Sequence, residues 1–173
     1  MSASTNWTTI AASNYPWERD AIKFVRQHLP SHEPYRARAN FELTADDGSR
    51  NKVDLLVLSP AGWFLVEIKS NPGVLSGDAD TWQWKDGERV KTVDNPLRLA
   101  EAKAKKLKLL LQRQRAAKKL RLPVLDALVF CAAENLSCRA WPRVDRAAAR
   151  LDLRRCYRRP EVFDMPAARS GDG

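Results

Sequence analysis

Two short apolar segments carry three charged residues at positions where a folded chain would bury its side chains. Residues 52–58, Lys-Val-Asp-Leu-Leu-Val-Leu, contain Asp54, and residues 63–69, Trp-Phe-Leu-Val-Glu-Ile-Lys, contain Glu67 and Lys69. Burying a charged group is costly unless the group is paired or bound to a metal ion. The Ser-Pro-Ala-Gly at residues 59–62 is typical of a tight turn. The pattern therefore predicts a β-hairpin that keeps two carboxylates and a lysine.

The turn sets the register of this hairpin. We take Leu58 as the partner of Trp63 across the turn, so that Asp54 lies opposite Glu67 on one face of the sheet. Lys69 lies two residues after Glu67 and shares that face. Two adjacent carboxylates repel each other, so either one is protonated or a cation lies between them. The cluster is either a site for a hard cation such as Mg²⁺, suited to phosphodiester hydrolysis, or a structural group of ion pairs.

A helix precedes the hairpin and brings a further carboxylate. Residues 17–29 have the periodicity of an amphipathic helix that ends before Pro30. Glu18 lies on the same stripe as Ile22 and Val25, so it faces the apolar side. The orientation of Glu18 is unusual for a charged residue, although an acidic residue in the first turn also stabilises the helix N-terminus.

A second helix follows the hairpin and is strongly basic. Asn95-Pro96 is typical of a helix start, because Asn caps well and Pro suits the first position. Its basic side is either an ordinary solvated face or a track for the phosphate backbone. The residues predicted to contact nucleic acid are Lys103, Lys106, Arg113 and, on the hairpin, Lys52.

Between the hairpin and this helix, residues 81–92 predict a second hairpin around Asp86-Gly87. Its Trp82 and Trp84 share a face, which either covers a core or stacks on bases. The order helix, three strands, hairpin, helix, strand predicts an α/β fold with a mixed β-sheet flanked by helices. We expect residues 1–14 to be a flexible lead-in, residues 15–132 to form the domain, and the Arg-rich residues 133–173 to be a tail or linker of unassigned role.

Composition narrows the classes of partner. The chain has 173 residues and a formal net charge of +9. This charge favours a polyanionic partner such as nucleic acid over a basic surface that serves solubility or docks an acidic protein. Its three cysteines match no zinc motif and fit a reducing cytoplasm. The N-terminus resembles no signal peptide, and no apolar run is long enough to span a membrane.

Asp54 followed by Glu67-Ile68-Lys69 resembles the D…(D/E)-x-K signature of restriction-endonuclease-like nucleases. Gly73, Gly77-Asp78, Trp82 and the Asn-Pro-Leu at residues 95–97 follow in an order similar to the nuclease-related domain, NERD. The resemblance covers residues 15–132 and is strongest to the N-terminal region of large serine/threonine kinases of bacterial phage defence. No kinase motif occurs in the chain.

The resemblance implies roles for single residues. Asp54 and Glu67 match the family's metal ligands, Lys69 its catalytic lysine, and Glu18 an acidic position on the first helix. Leu99 departs from the pattern, because many NERD domains have Gln there.

Three functions follow from these patterns. The first is a DNA nuclease that depends on Mg²⁺ or Mn²⁺. The second is a nucleic-acid-binding module of weak or lost activity that directs an attached effector such as a kinase. The third is a protein-interaction domain of a defence complex, in which the charged cluster is only structural.

Overall fold

The computed structural model describes residues 6–138 and the backbone of residues 156–158. In chain order the elements are β1 (Trp7–Thr9), α1 (Pro16–His28), β2 (Arg36–Thr44), β3 (Arg50–Ser59), β4 (Gly62–Lys69), β5 (Gly73–Gly77), β6 (Thr81–Asp86), β7 (Arg89–Asp94), α2 (Pro96–Arg113), a 3-10 turn (Arg115–Ala117), β8 (Leu125–Cys131), β9 (Leu136–Cys138) and β10 (Cys156–Arg158).

The strands form two sheets. The larger sheet has the order β1-β2-β3-β4-β8-β10, and the smaller sheet has the order β7-β6-β5-β9. In the larger sheet β2, β3 and β4 are antiparallel neighbours, whereas β1, β8 and β10 each lie parallel to their neighbour. This mixed sheet with helices confirms the predicted restriction-endonuclease-like α/β fold class.

The two helices pack on opposite faces of the larger sheet. On β4, Val66 belongs to the core that contains α1, whereas its neighbour Leu65 belongs to the core that contains α2. Alternate strand residues point to opposite faces, so each helix covers one face. Trp82 and Trp84 of the smaller sheet also lie in the α2 core. The charged residues Asp54, Glu67 and Lys69 lie on β3 and β4, two neighbouring strands in the interior of this sheet.

Both predicted helices are confirmed with small shifts at their ends. The α1 helix begins at Pro16, one residue before the predicted start, and it buries Glu18, Ile22 and Val25. At α2 the Asn95 side chain accepts a hydrogen bond of 2.9 Å from the Leu97 N–H, as expected of an N-cap. Neither described helix is long and apolar enough to cross a membrane.

Several short strands were not predicted. β1 lies within the expected flexible lead-in, yet it pairs with β2 and buries Trp7. β5 occupies residues 73–77, directly after Asn71-Pro72, where no strand was predicted. β9 and β10 lie in the segment 133–173, whose remaining residues from 139 onward are outside the described part of the chain. A strand of three to five residues is too short to show a period of its own.

Candidate functional site

The register of the β3–β4 hairpin is the one that the turn predicted. Leu58 pairs with Trp63, and the ladder continues to the pair of Leu55 and Val66. It ends there, one position before Asp54 would face Glu67. Beyond this point the Ile68 N–H donates a hydrogen bond of 2.9 Å to Asp54 Oδ2. The backbone pairing of β3 and β4 therefore ends at the charged residues, and beyond it the Asp54 carboxylate bonds to the backbone of β4.

Strands β2 and β3 also change the face that they present at this position. Leu55 packs in the α1 core, but Val53, two residues away, packs in the α2 core. Asn40 lies opposite Asp54 between the paired positions of β2 and β3, and its φ of 52° is left-handed. The twist at Asn40 and Asp54 places Asp54 between the two faces of the sheet. Side chains of α1 and of α2 can therefore both reach the region around Asp54.

Three carboxylates converge on the resulting cleft. Glu18, Asp54 and Glu67 each expose 7% of their surface, and all three line a cleft of about 600 Å³. Lys69 lines it as well, so the structure brings together every residue predicted for the catalytic site. Glu18 lies in the first turn of α1 and lines the same cleft as the other two carboxylates.

Lys52 binds two of these carboxylates at once. Its Nζ lies 2.7 Å and 2.9 Å from the two oxygens of Glu18, and 3.4 Å from Asp54 Oδ1. Burial acts to lower the pKa of Lys52, but Glu18 and Asp54 outweigh it and raise that pKa. The ammonium is thus held as the cation shared by Glu18 and Asp54.

Glu67 is paired with lysines from two elements. Lys69 Nζ lies 3.0 Å from Glu67 Oε1, and Lys103 Nζ of α2 lies 2.8 Å from Glu67 Oε2. The sequence predicted Lys103 as a nucleic-acid contact on the basic side of α2. The structure places its side chain in the cleft, against the second oxygen of Glu67.

The two strand carboxylates have opposite pKa shifts. Burial and the nearby charge of Glu67 raise the pKa of Asp54. Burial acts in the same direction on Glu67, but Lys69 and Lys103 outweigh it, and the pKa of Glu67 lies below its usual value. Of this pair, Asp54 is the carboxyl group that takes up a proton more readily.

The donor set fits a hard divalent cation in chemical type. Glu18, Asp54 and Glu67 offer only carboxylate oxygens, the ligands that Mg²⁺ and Mn²⁺ prefer. Their charges are balanced here by Lys52, Lys69 and Lys103. Within residues 6–138 no group of three His, Cys, Asp or Glu side chains is already gathered as a metal site. A metal ion would therefore have to displace a lysine from these oxygens.

The other predicted nucleic-acid contacts lie along α2 and are ion-paired as well. Lys106 Nζ lies 3.0 Å from Asp47 Oδ2, and Arg113 pairs with Asp46. Leu99, at the position where the family pattern has Gln, is 49% exposed on the same helix. The tryptophans of the second hairpin are buried, so the suggestion that Trp82 and Trp84 stack on bases is wrong.

Sequence reasoning missed several residues that line the cleft. Tyr15 and Trp17 at the start of α1, Asn71 after β4 and Lys91 of β7 come from three separate segments, and no local pattern predicted that they meet. Ser70 follows Lys69 directly, and its buried Oγ has no hydrogen-bond partner in the described part of the chain. Among these residues, only Ser70 could have been predicted from the sequence, because it directly follows the Glu-x-Lys sequence.

Comparison with known proteins adds an independent result. Residues 13–131 match the model of the family described as the nuclease-related domain, NERD. A stretch of 125 residues is 41% identical to a protein named "Probable kinase PglW" from Streptomyces coelicolor (strain ATCC BAA-471 / A3(2) / M145). The match covers 72% of this chain but spans only 8% of that relative. No solved structure matches the chain.

Proposed function

Since the chain belongs to the nuclease-related domain family, NERD, we propose that it binds DNA and hydrolyses phosphodiester bonds with the help of a divalent metal ion. The observation that carries this proposal is the meeting in one cleft of Glu18, Asp54 and Glu67 with the three lysines that pair with them. Carboxylates of this kind hold Mg²⁺ or Mn²⁺, and lysines offset the charge of a phosphate.

In this proposal the residues of the cleft have separate roles in binding the metal ion and the phosphate. Asp54 and Glu67 hold the metal ion, and Glu18 completes the acidic site. When bound, Mg²⁺ or Mn²⁺ supplies the positive charge that stabilises a phosphodiester transition state. Lys69, on the rim of the cleft, contacts the scissile phosphate or orients the attacking water. Lys103 holds Glu67 Oε2 at 2.8 Å and so keeps this carboxylate oriented.

A cleavage assay tests the proposal directly. Plasmid and linear DNA are incubated with Mg²⁺ or Mn²⁺ and with wild type, Glu67→Ala or Lys69→Ala. We expect wild type to cut and each variant to lose roughly 100-fold or more in rate, as for an electrostatic group at a reacting centre. Glu88→Ala and Lys23→Ala, at exposed positions outside the cleft, are the matched controls. Equal cutting by all proteins would assign the activity to another site or a contaminant.

A second function is favoured by one contact. Lys52 already occupies the space between Glu18 and Asp54, as a bound cation would. A site closed in this way suits a domain that binds DNA without cutting it and directs an attached effector, such as the kinase that its relative is named for. DNA binding that weakens steeply with salt, without cleavage in either metal, would favour this function over the first.

A further inference from the structure

Two aromatic side chains lie exposed at the rim of the cleft. Tyr15 is 52% exposed and Trp17 is 54% exposed, and their rings stack with centroids 5.0 Å apart and planes 24° from parallel. By contrast, Trp7, Trp82 and Trp84 are buried in the hydrophobic cores. An exposed tryptophan paired with an exposed tyrosine is the kind of surface that marks a binding site.

The backbone around this pair is fixed. The Tyr15 N–H donates to Ser13 Oγ at 3.2 Å, and the guanidinium of Arg19 donates to the Ser13 carbonyl at 2.8 Å. Ser13 itself is buried. Trp17 follows Pro16 in the first turn of α1. The aromatic pair is therefore presented by a helix start rather than by a loose loop, and ordering it for a ligand costs little entropy.

The pair shares its cleft with four lysines. Lys52, Lys69, Lys91 and Lys103 line the same cleft, and Trp17 directly precedes Glu18. The cleft volume of about 600 Å³ is in the range of pockets that enclose a small ligand. A flat apolar surface beside several ammonium groups fits a nucleotide, which has a flat base and a charged phosphate.

We propose that Tyr15 and Trp17 stack on an unpaired base of the DNA, and that the substrate of this site is therefore DNA with a single-stranded segment. In a duplex both faces of each base are covered by its neighbours, so only an unpaired or extruded base offers a face to the aromatic pair. Stacking there would place the adjoining phosphate beside Glu18 and the lysines. This inference rests on the proposed function and names its substrate class.

The test measures binding, in EDTA, so that cleavage does not interfere. Fluorescence anisotropy compares a labelled thymidine oligonucleotide of about twelve nucleotides with a duplex of the same length, a site size usual for such proteins. The proteins are wild type, Trp17→Ala, Trp17→Phe and Tyr15→Ala. Tyr35→Ala is the control, because Tyr35 is an aromatic residue outside the cleft.

We expect wild type to prefer the single strand. Trp17→Ala should weaken single-strand binding by roughly 5- to 150-fold, the range for loss of one base stack. Its duplex binding should change less than about twofold, Tyr15→Ala should show a smaller loss of the same kind, and Trp17→Phe should keep most of the affinity.

Two results would overturn the inference in distinguishable ways. If Trp17→Ala binds both substrates as wild type does, or loses both equally, the aromatic pair does not select unpaired bases, and the proposed function is untouched. If wild type binds neither substrate at low salt, both in EDTA and with Mn²⁺ added, the proposed function itself is wrong, and the inference falls with it. Thermal melting of each variant confirms that the protein is folded.

Discussion

Asp54 and Glu67 are equally buried, yet the surroundings of Glu67 stabilise its negative charge and those of Asp54 disfavour it. Glu67 has a lysine on each oxygen, whereas Asp54 has one lysine at 3.4 Å and a neighbouring carboxylate. The spacing of the hairpin was enough to predict that both acids lie in one site. It was not enough to predict Lys103 as a partner, because that lysine is 36 residues away and looks like its helix neighbours in the sequence.

Asp54→Asn is expected to stabilise the protein near neutral pH. The raised pKa means that the folded state holds the Asp54 proton more tightly than the unfolded chain does, so wild-type stability falls as pH rises through the folded pKa. An amide stays neutral throughout. The gain in stability from Asp54→Asn should be present above the pKa of Asp54 in the folded protein. It should be absent below about pH 4, the ordinary pKa of Asp.

The measurement for Asp54→Asn is thermal melting at several pH values. A rise of roughly 2–4 °C at neutral pH corresponds to about 1 kcal/mol for a domain of this size. Asp20→Asn, at an exposed position of α1, is the control and should change the melting temperature little. A lower melting temperature of Asp54→Asn at neutral pH would contradict the pKa shift on which the expectation rests.

Lys52 competes with any cation for the oxygens of Glu18 and Asp54. Lys52→Ala should therefore tighten Mn²⁺ binding, by roughly two- to fivefold if the contact has the strength of a partly exposed ion pair. Electron paramagnetic resonance of free Mn²⁺ measures the affinity without reference to activity. Lys23→Ala is the control for loss of one positive charge. Unchanged or weaker Mn²⁺ binding by Lys52→Ala would show that the ammonium does not block the site.

At the scale of elements, the site depends on how β2 and β3 twist at Asn40 and Asp54. The two apolar segments and the turn sequence between them predicted the β3–β4 hairpin, and Asn95-Pro96 predicted where α2 begins. Neither predicted that β3 presents Val53 and Leu55 to different cores. That change depends on a left-handed backbone at Asn40, a position that lies inside a regular strand pattern and carries no turn sequence.

The backbone at Asn40 gives an expectation for stability. A left-handed φ costs a β-branched residue most, Asn less, and Gly nothing. Asn40→Val should therefore lower the free energy of unfolding by about 1–3 kcal/mol, and Asn40→Gly should stay within about 1 kcal/mol of wild type. Urea denaturation measures both. Thr44→Val, on an exposed position of the same strand, should change stability by less than about 0.5 kcal/mol.

If Asn40→Val proved as stable as wild type, the twist would not require the left-handed conformation. If Asn40→Gly alone were strongly destabilised, the Asn side chain would be holding the strand in place. Its Oδ1 is buried and has no partner among the described residues, which argues against that role.

At the scale of the whole molecule, the excess positive charge and the candidate site are separate features. The chain carries a net charge of +9, but the cleft balances three carboxylates against three of its lysines. Lys106 and Arg113 are neutralised by Asp47 and Asp46. Composition could predict a polyanionic partner, but it could not predict which cations are already occupied, because that depends on contacts between distant segments.

This distribution of charge predicts which lysines set the salt dependence of DNA binding. Lys118 and Lys119 are exposed beyond α2 and form no ion pair within the described residues, so each releases one counterion when it meets a phosphate. The double variant Lys118→Ala/Lys119→Ala should reduce the slope of log affinity against log salt for duplex DNA by roughly two.

Lys106→Ala/Arg113→Ala removes the same charge, but should reduce the slope by less than about one, because Asp46 and Asp47 compete with the phosphates. Anisotropy titrations over a range of salt concentrations measure both slopes. A larger reduction for Lys106→Ala/Arg113→Ala would mean that DNA displaces the two aspartates and lies along α2 itself.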